Sequence, residues 1–139
     1  MRTQKTNPEE KRSRYNKNMK ARIILLNALP LNSFAIAKEL TMRIRFYTYN
    51  EFVERIEDIK RLYKSLNINI ECENFIRHAA TKSTLSEILT SLSCADKQVY
   101  SYVPGDFIFI ITLKQAVRGQ EVSEITTNDL LFAELELIR

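Results

Sequence analysis

The stretch DFIFIITL, residues 106–113, is apolar at almost every position after its first. A strand with one wet face alternates apolar and polar side chains. A strand covered on both faces reads instead as a continuous apolar run. This run is far shorter than the ~20 residues a membrane-spanning helix needs. It is therefore expected to be the central strand of a sheet. Immediately before it, Pro104-Gly105 fits the centre of a type II turn, because proline presets the first dihedral and glycine accepts a positive φ at the second. QVYSY (98–102) is expected to be the strand on the other side of that turn.

Working outward, ARIILLNAL (21–29) reads as a buried strand that turns at Asn27, Pro30 and Asn32. NSFAIAKEL (32–40) is expected to be a short helix capped by Asn32 or Ser33. MRIRFYT (42–48) alternates, with Met42, Ile44 and Phe46 on one side and Arg43, Arg45 and Tyr47 on the other, as in a half-exposed strand. TYNE (48–51) has the form of a capping box. Behind it, Phe52, Ile56, Ile59 and Leu62 or Tyr63 recur at helical spacing up to about Ser65. NINIECE (67–73) is a short strand or an extended connection. Leu85, Ile88, Leu89 and Leu92 mark the apolar stripe of a further helix. VRGQEVSEITTND (117–129) reads as a loop, and LLFAELELI (130–138) alternates as a closing strand. The order predicts an α/β (α+β) fold: a single domain with a mixed central sheet of about five strands flanked by helices.

The chain has 139 residues, 45% of them hydrophobic and 27% charged, which suits one globular domain. It has two glycines and no Walker or Rossmann phosphate loop. The net charge of +4 is concentrated in residues 1–18, which hold six Lys/Arg and two Glu; the remainder balances to zero. Residues 1–18 are expected to be a disordered basic extension, and residues 19–139 the domain. The extension is either a solubilising or superfluous segment, with Met19 as an alternative start, or a weak nucleic-acid-binding arm. A neutral body argues against a broad duplex-binding face. The N-terminus has no signal-peptide pattern, so a cytoplasmic location is expected, with no membrane association. Cys72 and Cys94 have no metal-ligand spacing and are read as ordinary buried or half-buried thiols. No cofactor and no metal is expected.

Three segments carry candidate chemistry. FIRHAATKSTLSEIL (75–89) contains the chain's one histidine, His78, beside Arg77 and close to Thr81, Lys82, Ser83 and Thr84. Two helix starts compete there, one near His78 and one at the Thr84-x-x-Glu87 capping box. In the first, the free N–H groups of the opening turn favour an anion. His78 is either a satisfied structural histidine or a group that moves a proton near neutral pH. Lys114 and Gln115, with Arg118 and Gln120, follow the central strand, where a cation suits a phosphate; the alternative is a solvated turn shaped by Gly119. NALPLNS (27–33) offers Asn27, Asn32 and Ser33 to a base or ribose, or is a turn with its cap.

Taken in order, LLNALPLNSF, FIRHAATKSTLSEILTSL, GDFIFIITLKQAVRGQEV and DLLFAELEL resemble the signatures of the viral anti-CRISPR ring nucleases, a family of archaeal viruses and type III CRISPR loci. The likeness covers about residues 20–138. It implies a homodimer with a mixed sheet flanked by helices, which binds cyclic tetra-adenylate across the dimer. It implies metal-independent cleavage to linear di-adenylate with a cyclic phosphate, which switches off the host's effector nucleases. His78 matches the family's histidine and would be the general acid. The positions implied for ligand contact are Asn27, Asn32, Ser33, Arg77, Thr81, Gln115 and Gln120.

The sequence also departs from the family. Pro30 replaces a serine that usually touches the ligand, and Arg77 replaces the glycine before the histidine. The family's arginine after the central strand corresponds to Lys114 or Gln115 by spacing, or to Arg118 by residue type. A lysine there is a point charge where arginine is a planar fork. The competing expectations are a protein that sequesters the same ligand without cutting it, and a small viral or archaeal interaction protein with a basic arm.

Overall fold

The computed structural model describes residues 20–28, 41–115 and 125–138. In chain order the elements are β1 (Lys20–Leu26), β2 (Thr41–Tyr47), α1 (Tyr49–Ser65), β3 (Asn69–Asn74), α2 (Ala79–Thr84), α3 (Ser86–Ser91), β4 (Ala95–Asp96), β5 (Phe107–Leu113), a 3₁₀ turn at Thr127–Asp129, and β6 (Leu130–Ile138). The strands form one sheet in the order β2-β6-β5-β1-β3-β4. β1 runs parallel to both β3 and β5, and β4 is parallel to β3. β6 is antiparallel to β5 and to β2. The domain is α+β with a mixed sheet, as expected, with six strands in place of about five.

β5 lies between β6 and β1, and its residues Ile108, Phe109, Ile110 and Ile111 are buried. Alternation assigns them to two faces. Ile23, Leu25, Phe109, Ile111 and Phe132 share one core with Phe52, Ile56 and Ile59 of α1 and Leu85 at the α2–α3 junction. Ile24, Leu26, Ile108, Ile110 and Leu135 form a second core with Phe75 and Tyr100 on the opposite face. Packing on both sides is why the strand reads as an unbroken apolar run.

α1 begins and ends where local chemistry dictates. The Thr48 hydroxyl accepts from the Glu51 N–H at 3.2 Å, and the Glu51 carboxylate accepts from the Thr48 N–H at 2.9 Å. At the far end Asn67 takes φ 58°, and the Ile68 and Asn67 N–H groups donate to the carbonyls of Tyr63 and Lys64. This is the left-handed cap that asparagine tolerates better than most residues. The turn at Pro104-Gly105 also forms: Gly105 has φ 95° and the Asp106 N–H donates to Val103.

Three expectations are corrected. Residues 98–102 are not a strand. Tyr100 is instead drawn onto the sheet face, where it packs edge-on against Phe75 and its hydroxyl donates to Asp106 at 2.8 Å. The two-residue β4 takes the sheet edge. Cys72 and Cys94 are not free thiols but a disulfide. On β2 the apolar side is not covered: Met42, Ile44 and Phe46 are all exposed, on the edge strand of the sheet. Among the described residues no helix is long and apolar enough to cross a membrane. The basic extension and the helix expected at 32–40 lie outside the described residues.

Candidate active site

Because β1, β3 and β5 are parallel neighbours, their carboxyl ends open onto one edge of the sheet, the edge at which sites in such sheets form. Asn27 follows β1, Arg77 and His78 follow β3, and Lys114 and Gln115 follow β5. Leu26 of β1 pairs with Ile110, so β5 runs on for three more residues, roughly 10 Å at strand rise, before Lys114. The described residues of these three segments thus lie at one edge, with Asn27 in the lower, middle position. Asn27, Arg77, His78, Lys114 and Gln115 are all exposed. Asn32, Ser33, Arg118 and Gln120 lie outside the described residues.

The chain between β3 and α2 is firmly held. The Phe75 N–H donates to Leu25 at 2.8 Å, which extends the parallel ladder by one bond. Asn74 is buried, and its side-chain carbonyl accepts from the Ile76 N–H at 3.1 Å while its amide donates to Asp96 at 3.0 Å. Asp96 also takes the Lys82 ammonium at 3.1 Å. The Asn74 hydrogen bond, and then Lys82, hold the Asp96 carboxyl below the usual aspartate range. Arg77 turns toward β4 and donates to the Lys97 carbonyl at 2.9 Å. Cys72 and Cys94 close this region covalently.

His78 is the N-cap of α2. Both competing helix starts are realised in part: α2 begins at Ala79, and after a break at Leu85 a second turn, α3, follows. The Thr84 capping box does not form, because the Thr84 hydroxyl donates to Ala80 at 2.8 Å and to Ile125 at 3.2 Å. His78 Nδ1 lies 2.9 Å from the Thr81 hydroxyl and accepts from the Thr81 N–H at 3.3 Å. Its Nε2 has no partner among the described residues. Thr81 itself is 2% exposed, and its hydroxyl faces His78.

The arrangement has one exposed imidazole with one nitrogen anchored, an amide at Asn27, and a cation at Lys114. That set can deliver a proton, orient a polar ligand and offset negative charge. Sequence reasoning missed Asn74 and the disulfide. An asparagine ending a strand just before the histidine segment was the available signal for the first; no spacing rule pointed to the second. A separate hollow of about 380 Å³ near the amino ends of β2 and β5 is lined by Arg43, Arg45, Arg55, Glu134 and Glu136. Arg55 is committed there to Glu134 at 2.8 Å, and that hydrogen bond raises the guanidinium's pKa above its ordinary value. Among the described residues no group of three His, Cys, Asp or Glu side chains is placed to hold a metal.

No family model matches the chain. No curated relative matches it. Among solved structures it is similar to B116 of Sulfolobus turreted icosahedral virus, with a TM-score of 0.51 and 20% sequence identity over 82% of this chain and 97% of that one. At that identity the likeness is one of fold, and the neighbour is a protein of an archaeal virus.

Proposed function

We propose that the protein is a metal-independent ring nuclease, which binds cyclic tetra-adenylate across a homodimer and cuts it to linear di-adenylate with a 2′,3′-cyclic phosphate. The observation that carries this reading is the exposed His78, with Nε2 open, on the sheet edge that also brings Asn27 and Lys114. The ligand's own ribose 2′-hydroxyl forms the new bond to phosphorus and its proton passes to water. The P–O5′ bond breaks with its electron pair on oxygen, and the His78 imidazolium protonates that oxygen. Such general acid catalysis contributes roughly 10²–10⁴-fold. Lys114 offsets charge on the phosphorane. Loss of the messenger would damp type III CRISPR signalling.

A second reading, sequestration without cleavage, is favoured by one feature. The arginine nearest the histidine, Arg77, is engaged by the Lys97 carbonyl, and the cation after β5 is a lysine. The two readings separate when labelled cyclic tetra-adenylate is incubated in chelator with the protein and with His78→Ala. Cleavage lost in the variant supports the nuclease. Tight binding with no turnover supports sequestration. No binding overturns both, and salt-sensitive polynucleotide binding lost on deleting residues 1–18 would then point to a basic arm.

A further inference from the structure

We infer that Thr81 is the positioning residue of His78, fixing Nε2 as the nitrogen that exchanges protons with the ligand; the catalytic half of this inference rests on the reading above. The backbone N–H and the hydroxyl of Thr81 converge on the same ring nitrogen. The backbone N–H donates to Nδ1 at 3.3 Å and the hydroxyl oxygen lies 2.9 Å from it. Thr81 is 2% exposed, so its hydroxyl does not swing out to water. His78 as a residue is exposed, and its Nε2 has no partner among the described residues.

A hydroxyl both donates and accepts, and this makes threonine suitable in each state of the ring. In the neutral ring the Thr81 N–H and O–H point donors at Nδ1, which places the single ring proton on Nε2. In the imidazolium Nδ1–H donates to the Thr81 oxygen, and Nε2–H is the proton left to leave. When it leaves, the Nε2–H bond breaks with its electron pair on the ring and the proton goes to the departing 5′-oxygen. This leaves the neutral ring with its proton on Nδ1, hydrogen-bonded to the Thr81 oxygen; exchange with water, a proton gained at Nε2 and one lost from Nδ1, then restores the resting Nε2–H tautomer that accepts from the Thr81 N–H. A backbone N–H alone serves only one of these states. Thr81 is therefore what lets the ring cycle without turning.

His78 is the chain's one histidine, so ¹⁵N NMR reads its tautomer without assignment ambiguity. With the ring neutral, the wild type is expected to show one tautomer, Nε2–H. Thr81→Val keeps the shape and removes the hydroxyl; it should show a tautomer mixture. Cleavage of cyclic tetra-adenylate by this variant should fall roughly 10- to 100-fold in kcat with KM little changed, as for a misaimed group. Thr81→Ser should restore both readouts. A single Nε2–H tautomer in Thr81→Val, or no restoration by serine in a folded variant, overturns the inference. A wild type with one tautomer that cuts nothing overturns the nuclease reading and the acid role of Nε2, and upholds the ring's anchoring.

Discussion

Cys72 on β3 is disulfide-bonded to Cys94 just ahead of β4, and the chain they enclose carries Arg77, His78 and Thr81. The bond joins two segments that are also tied by the Asn74–Asp96 hydrogen bond at 3.0 Å. For cysteines 22 residues apart, closing the loop removes unfolded-chain entropy equivalent to about 3 kcal/mol. Reductant, or the paired Cys72→Ala and Cys94→Ala change, should lower unfolding free energy by about that amount. Denaturant midpoints with and without reductant check it, and an unchanged midpoint would show that the bond does not contribute.

The interior of the α1 side is centred on Phe52, which stacks on Phe132 with ring centroids 4.9 Å apart and meets Phe109 edge-on at 5.3 Å. Phe52→Ala removes one ring from a fully buried aromatic trio. The expected loss is about 3–5 kcal/mol, measured as a shift in the chemical or thermal unfolding transition.

On the opposite face Arg22 donates to Asp106 at 2.8 and 2.6 Å and to Glu73 at 3.0 Å. Asp106 also accepts from Tyr100. Burial first, and then that hydrogen bond, keep the Tyr100 hydroxyl protonated well above the ordinary tyrosine range. The unfolded chain releases the same proton near pH ~10. Stability from this group is therefore full below about pH 10 and declines as pH rises beyond it, because only the unfolded state then loses the proton. Tyr100→Phe should flatten that alkaline decline and lower stability at neutral pH by about 1 kcal/mol for the lost hydrogen bond. Unfolding measured from pH 8 upward checks both signs.

Lys114 is exposed beyond β5, with its backbone N–H fixed to the Asp129 carbonyl at 2.9 Å. If it offsets phosphorane charge, Lys114→Ala should reduce the cleavage rate by about 100-fold. Lys114→Arg should retain or raise it, since a planar fork matches phosphate better than a point charge. Steady-state rates on cyclic tetra-adenylate check the order of the three proteins.

Much of this architecture was legible in the chain. β5 announced its place by being apolar on both faces, β6 by alternation, and α1 by the Thr48–Glu51 box. What was missed depends on partners that only the folded chain supplies. Tyr100 looks like part of a strand until Asp106 and Phe75 draw it onto the sheet face. Thr84 looks like a cap until Ala80 and Ile125 take its hydroxyl. The cysteines read as thiols because their spacing suggests no site and nothing in the sequence indicates an oxidising compartment. Of the candidate site, the sequence singled out His78 and its neighbours as a proposal, but the inward turn of Thr81 and the support from Asn74 required the fold. That Asn27, His78 and Lys114 lie at the same edge of the sheet follows from strand order, which the sequence does not state.

A single-turnover reaction in chelator, with native cyclic tetra-adenylate beside a ring whose riboses lack the 2′-hydroxyl, tests the chemistry at His78 most directly. The native ring should yield linear di-adenylate ending in a 2′,3′-cyclic phosphate, and His78→Ala should slow this by at least roughly 100-fold. The 2′-deoxy ring should remain whole. Intact native ring after many protein equivalents, equal rates for the wild type and His78→Ala, or cutting of the 2′-deoxy ring would each contradict it.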